Sequence, residues 1–214
     1  MRQDYCDITL ILDKSGSMQP LTAETIKGVN GFIEKQRRQP GKCALSLILF
    51  DTNVNVPYLG RLITEAPRLD TTNYQAGGYT ALLDAVGRGI DELGGRLKGM
   101  PEAERPGKVV VVIVTDGEEN SSHQYKKEAV KAMIERQQAL YKWEFVFLGA
   151  NVDAFAEAGA MNVPMSHTLQ THSTSNSVRA AYVAVTSNAT AYRAGTAKTM
   201  AWTDPQRADQ DTTK

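Results

Sequence analysis

The stretch VVVVIV at 109–114, followed directly by Thr115-Asp116-Gly117, decides the fold. Six consecutive β-branched residues leave no polar position to face water. Such a run belongs to a strand buried on both faces, as in a parallel sheet covered by helices on either side. Outward from it, ITLIL at 8–12, ALSLILF at 44–50 and FVFL at 145–148 are short apolar runs that read as further strands; the first two end in turn residues. A weaker extended stretch near 54–63 contains Pro57, which marks an edge strand. Helical periods lie between the strands. Ile26, Val29, Phe32 and Ile33 predict a helix over about 20–38, stopped by Pro40-Gly41. Leu83, Val86, Ile90 and Leu93 predict a second, in which Gly87 and Gly89 read as points of close packing. Val130, Met133 and Ile134 belong to a third at 124–141, NVDAFAEAGAM at 151–161 to a fourth, and Val178, Tyr182, Val185 and Tyr192 to a last one. Segments 96–107 and 166–177 read as polar loops. This alternation predicts an α/β fold: a doubly wound, mainly parallel sheet with helices on both faces.

A chain of 214 residues suits one such domain, and residues 1–195 carry all of its apolar periods. Beyond Gly195 only Met200 and Trp202 are large and apolar, so 196–214 reads as a polar, loosely held tail. Lys plus Arg number 24 and Asp plus Glu number 24, which removes the electrostatic case for nucleic acid or an anionic membrane. No apolar run approaches the roughly 18 residues of a membrane span. The amino terminus runs into a strand without a cleavage site, so the expected location is cytoplasmic. Cys6 and Cys43 lack C-x-x-C spacing and are expected to stay reduced. His123, His167 and His172 share no ligand spacing and read as surface or loop residues.

Ligands of such sheets bind beyond the carboxyl ends of the strands. Three polar clusters fall there. Asp13-Lys14-Ser15-Gly16-Ser17 leaves the first strand, Thr80 opens a helix after Gly77-Gly78-Tyr79, and Asp116 leaves the valine strand. Asp13, Ser15, Ser17, Thr80 and Asp116 together offer two carboxylates and three hydroxyls. These hard oxygen donors select Mg²⁺, with Mn²⁺ or Ca²⁺ as alternatives, over zinc or copper. Alternate spacing lets an extended turn aim Asp13, Ser15 and Ser17 to one side, with Gly16 supplying the bend. With only two anionic ligands the ion stays electrophilic and open to a carboxylate from outside. Each cluster alone has a plainer reading: Ser17 and Thr80 as helix caps, Asp51 as a turn former, Glu118 and Glu119 as solvated charges. A Mg²⁺-dependent phosphoester hydrolase or phosphotransferase is the rival function. Against it, residue 15 is serine, not the second aspartate of an Asp-x-Asp loop. No lysine or histidine is placed as a proton carrier, and Lys14 should point away from Asp13.

DITLILDKSGSM at 7–18 resembles the first strand and metal loop of the von Willebrand factor type A domain, whose signature is Asp-x-Ser-x-Ser. GGYTALLDAVG at 77–87 is similar to that family's second metal loop, and VVVVIVTDGEEN at 109–120 to its third. The resemblance is close over about 5–150 and looser to about 193. It implies a six-stranded sheet in the order 3-2-1-4-5-6, its third strand antiparallel at one edge. It also implies a complete metal-ion-dependent adhesion site at Asp13, Ser15, Ser17, Thr80 and Asp116. The function implied is a non-enzymatic, Mg²⁺-dependent protein-binding module that grips an Asp or Glu of a partner. Compact members of bacteria and phages often work with AAA+ ATPases. No G-x-x-x-x-G-K-[ST] occurs here, so such an ATPase would be a separate polypeptide.

Overall fold

The valine run forms the heart of β4 (Pro106–Thr115), which is hydrogen-bonded in parallel to β1 (Arg2–Asp13) on one side and β5 (Glu144–Gly149) on the other. The computed structural model describes residues 1–150 and 152–212, with side chains described outside 152–154 and 211–212. Beyond β1 lie β2 (Lys42–Phe50) and β3 (Val54–Leu62), and beyond β5 lies β6 (Thr168–Gln170). The sheet order is β3-β2-β1-β4-β5-β6, and among the described residues only the β2–β3 pair is antiparallel. Both the order and the antiparallel edge are those expected.

Among the described residues six helices flank the sheet: α1 (Thr22–Arg37), α2 (Leu82–Lys98), α3 (Lys127–Tyr141), α4 (Val152–Ala160), α5 (Ser175–Ala194) and α6 (Asp204–Thr212). Strand pleating sends Val110, Val112 and Val114 into a core with Val29, Phe32 and Ile33 of α1 and Val178 and Val185 of α5. Val109, Val111 and Ile113 enter the opposite core with Val86, Ile90 and Leu93 of α2 and Val130 and Ile134 of α3. Burying each of these side chains stabilises the fold by about 1.5–3 kcal/mol relative to exposure. The two helix glycines do serve close approach. A Cβ on Gly87 would lie 2.3 Å from the Tyr125 ring, and one on Gly89 would lie 2.8 Å from Ile48 Cδ1.

Several local readings are corrected. α1 is preceded by a 3-10 turn at Gly16–Leu21, so its helical period begins two residues later than expected. Segment 166–177 is not all loop: β6 lies inside it, and α5 begins at Ser175. Three residues are too few to show a period. The stretch 196–214 is not loose where it is described. Met200 is 0% exposed and Trp202 6%, and α6 follows them. Trp202 N donates to Ser166 O, Met200 N to a Glu144 oxygen, and Arg207 to the carbonyls of Met165 and Thr168. Two apolar anchors and a set of hydrogen bonds hold the stretch, and neither leaves a period in the sequence. Residues 213 and 214 lie outside the described residues, as does Asn151, the first residue of the fourth predicted helix.

Cys6 and Cys43 face one another in register on β1 and β2, both buried and both free thiols. Burial pushes the Cys6 thiol up, and that of Cys43 up to about 12, so neither is reactive. Among the described residues no helix is long and apolar enough to cross a membrane.

Candidate metal centre

Strand order reverses between β1 and β4. The chain leaving β1 turns to α1 on one face, and the chain leaving β4 turns to α3 on the other, which opens a crevice between the strand ends. Asp13 ends β1 and Asp116 follows β4, so the two carboxylates stand on either side of it. Asp13 Oδ1 accepts from Ser15 N at 2.7 Å, the Ser15 and Ser17 hydroxyls lie 3.1 Å apart, and Ser17 Oγ donates to Asp116 Oδ1 at 2.7 Å. The fifth residue, Thr80, reaches the group from the loop just before α2. A Cβ built on Gly117 would sit 3.1 Å from Thr80 Oγ1 and 3.5 Å from Ser17 Oγ. All five residues therefore converge on one small hollow whose floor is the side-chain-free Gly117. Asp13 is 0% exposed, whereas Ser17 is exposed at the mouth.

The plainer capping roles do not hold. The N-cap residue is Ser15 for the 3-10 turn, Leu21 for α1 and Ala81 for α2, and none of the three makes a side-chain cap bond. The hydroxyls of Ser15, Ser17 and Thr80 are spent on no helix end. Burial raises the Asp13 carboxyl to about 6, opposed by the Thr115 and Ser15 hydrogen bonds and reinforced by the Asp116 charge. Burial also raises Asp116, opposed by the Ser17 hydroxyl. Two desolvated carboxylates facing each other are the arrangement a cation relieves. The donor set, two carboxylates and three hydroxyls, fits an oxygen-loving divalent ion. Among the described residues no group of three or more His, Cys, Asp or Glu side chains is placed to hold a metal ion.

The neighbours of the five include residues the sequence reading missed. Thr115 Oγ1 donates to Asp13 Oδ2 at 2.5 Å. Asn120 and Thr80 bond reciprocally, Thr80 N to Asn120 Oδ1 at 2.8 Å and Asn120 N to Thr80 O at 3.0 Å. Glu119 is not a solvated charge. Its carboxylate accepts from Leu83 N at the start of α2, from Ser121 N and Ser122 N, and from the Ser122 hydroxyl. It thus satisfies a free N–H of the first turn, where a negative charge is favoured. Asp84 returns the bond pattern by accepting from the backbone of His123, Gln124 and Tyr125. The DGEEN stretch is therefore stapled to Thr80 and to the start of the helix that follows it. Glu118 stays exposed. Lys14 does turn away from Asp13, to an ion pair with Asp51, which also closes its own turn by accepting from Asn53 N. His167 is half-buried rather than free, 2.7 Å from Glu144 Oε2, far along the sheet from this crevice.

Beside Asp116 and Thr115, between α1 and α5, a cavity of about 20 Å³ is lined by Met18, Leu21, Val114 and Tyr182 among others. That is room for about one water molecule. Tyr79, adjoining Thr80, is 68% exposed, an aromatic ring standing in solvent beside the crevice.

The von Willebrand factor type A domain family model matches residues 7–190. No curated protein matches the chain. Solved structures with the same fold include the pilus adhesin SpaC of Lactobacillus rhamnosus GG in its open conformation, 14% identical with a TM-score of 0.64 over 86% of this chain and 30% of that one. A von Willebrand factor type A protein from Catenulispora acidiphila is 13% identical, with a TM-score of 0.55 over 86% of this chain and 42% of that one. Proximal thread matrix protein 1 of the mussel byssus, with a zinc-occupied MIDAS motif, is 16% identical, with a TM-score of 0.57 over 87% of this chain and 46% of that one. This chain thus spans less than half the length of each of these three. The match over residues 7–190, the sheet order and the three metal-loop motifs agree, and the chain belongs to the von Willebrand factor type A domain family.

Proposed function

We propose that this chain is a protein-binding module in which Asp13, Ser15, Ser17, Thr80 and Asp116 hold one divalent ion, Mg²⁺ by preference, that takes an Asp or Glu side chain of a partner protein. The observation that carries the reading is the convergence of Ser17 and Thr80 hydroxyls over Gly117, between two desolvated carboxylates, in a crevice open to solvent. Bound there, the ion supplies an electrophilic position for an outside anion. The chain's own residues do the rest. Asp13 and Asp116 supply the charge, and the three hydroxyls complete the oxygen set without adding charge. Thr115 and Ser15 N hold the Asp13 carboxylate in one orientation. Tyr79 offers a partner an exposed ring next to the site, and exposed aromatics are enriched at binding hot spots.

A hydrolase reading gains no support from the same geometry. Lys14 is engaged by Asp51, and His167 lies elsewhere with Glu144. The mussel protein carries zinc at its motif, so the choice of ion needs direct comparison. Thermal shifts with Mg²⁺, Mn²⁺, Ca²⁺ and Zn²⁺ supply it. The function is tested by a pull-down with and without chelator, comparing wild type with Asp13→Ala. Capture that needs the ion and is lost in Asp13→Ala is the expected result. Capture that is the same in all four samples overturns the reading.

A further inference from the structure

Segment 63–77 contributes none of the five oxygen donors, yet it is tied down along its length. α1 holds its first half. Arg37 donates to Ile63 O at 3.1 Å and Ala66 O at 3.0 Å. The buried Asn30 side chain donates to Leu69 O at 2.8 Å and accepts from Leu69 N at 2.9 Å. Asp70 then closes a turn: its Oδ1 accepts from Thr72 N at 2.7 Å, and its carbonyl accepts from Tyr74 N at 2.9 Å. The outcome is a Tyr74 that is 0% exposed, with its ring in the core shared by α1 and α5. Its hydroxyl donates to the Asp13 carbonyl oxygen at 2.5 Å. Two further stitches follow. Gly77 N donates to Lys14 O at 2.8 Å, and Gly16 N donates to Gly78 O at 3.0 Å. Consecutive peptide units of the Asp13–Gly16 loop are thereby pinned from outside. Only the Tyr74 stitch is made by a side chain, so it alone can be removed without rebuilding backbone.

We propose that Tyr74 is a positioning residue for the metal centre. Its hydroxyl fixes the peptide plane between Asp13 and Lys14. That plane sets where Ser15 N meets Asp13 Oδ1 and how the Ser15 and Ser17 hydroxyls face Asp116. Metal sites tolerate errors of only about 0.2 Å in ligand distance, so a loop free to rotate about one peptide loses coordination quality before it loses its fold. Loss of a group that orients a ligand costs about 10–100-fold in metal affinity. A tyrosine serving only to fill the core would have its effect through the ring, which phenylalanine keeps.

The inference rests on the metal reading of the five donors, and the test separates the two. Wild type, Tyr74→Phe and Tyr182→Phe are titrated with Mn²⁺, read by loss of the free-ion paramagnetic resonance signal, and unfolded in urea with chelator. Tyr182 is the control because its buried hydroxyl makes no hydrogen bond to the metal loop. The expected result is a Kd raised about 10-fold or more in Tyr74→Phe and unchanged in Tyr182→Phe, with both variants folded in chelator. An unchanged Kd in Tyr74→Phe, or an equal rise in both variants, overturns the role of Tyr74 while leaving the metal site standing. A wild type that takes up no Mn²⁺ overturns the metal reading and this role with it.

Discussion

Replacing Asp13 by asparagine should make the metal-free protein more stable, an uncommon outcome for a fully buried polar position. In the folded chain burial lifts the Asp13 carboxyl from 3.8 to about 6. Between those values the native state holds a proton that the unfolded state releases. The group therefore costs no stability below about pH 4, and its penalty grows as pH rises and is complete above about pH 6. At about 1.4 kcal/mol for each tenfold change, the full penalty is about 3 kcal/mol. Asparagine carries no charge and keeps the shape. Its oxygen can accept from Ser15 N, and Thr115 Oγ1 can turn its proton to Gly117 O, 3.2 Å away, and accept from the new amide. Urea unfolding in chelator at pH 7.5 should show Asp13→Asn more stable than wild type by up to about 3 kcal/mol, and at pH 4 nearly equal to it. Saturating Mg²⁺ at pH 7.5 should reverse the ranking, because only the wild type gains binding energy. An asparagine variant less stable than wild type in chelator at pH 7.5, or a gap that ignores pH, would refute the argument that burial of the Asp13 charge costs more than its hydrogen bonds return.

Asp116→Ala should abolish Mn²⁺ uptake and ion-dependent partner capture while circular dichroism stays native, since the crevice is open to water. Thr80→Ala should weaken Mn²⁺ binding less than that, as it removes a neutral donor; a titration ranking Thr80→Ala below Asp116→Ala would contradict the assignment. Gly117→Ala should raise the Kd about 10-fold or more, because the added methyl would stand 3.1 Å from Thr80 Oγ1 inside the hollow. Met200→Ala should cost about 2–5 kcal/mol of unfolding free energy by denaturant titration, since the side chain is wholly buried; a loss under 1 kcal/mol would show that the carboxyl-terminal stretch is only laid on the surface.

Legibility in the sequence followed how locally each feature is encoded. The unbroken run at 109–114 and the helical periods around it expose the α/β layering because both depend on near neighbours. The five residues proposed as oxygen donors stand out because they sit on strand ends and glycine turns that announce themselves. β6 was not, since Thr168–Gln170 becomes a strand only by pairing with β5. Met200 and Trp202 are conspicuous, but nothing local says that Ser166 and Glu144 wait to receive their backbone. Tyr74 reaches Asp13 across 61 residues, and Glu119 reaches Leu83 across 36, through loops without a period. Long-range hydrogen bonds of this kind carry no pattern in a single sequence. The charge of Glu119 pointed to solvent when its real task was a helix start.

The carboxyl-terminal stretch also settles how the sheet ends. A free edge strand invites another chain to pair with it. On one side β6 is three residues long, and Arg207 occupies the carbonyls of Met165 and Thr168 with the Trp202 backbone on Ser166 between them. On the other, β3 carries Pro57, and its register with β2 shifts twice, between Leu45 and Leu47 and again between Leu47 and Leu49. Neither border offers a long, regular ladder, the feature that favours growth of a sheet by strand addition. Cutting the chain before Trp202 would remove the contacts to Ser166, Met165 and Thr168 and leave the β6 border open to pairing.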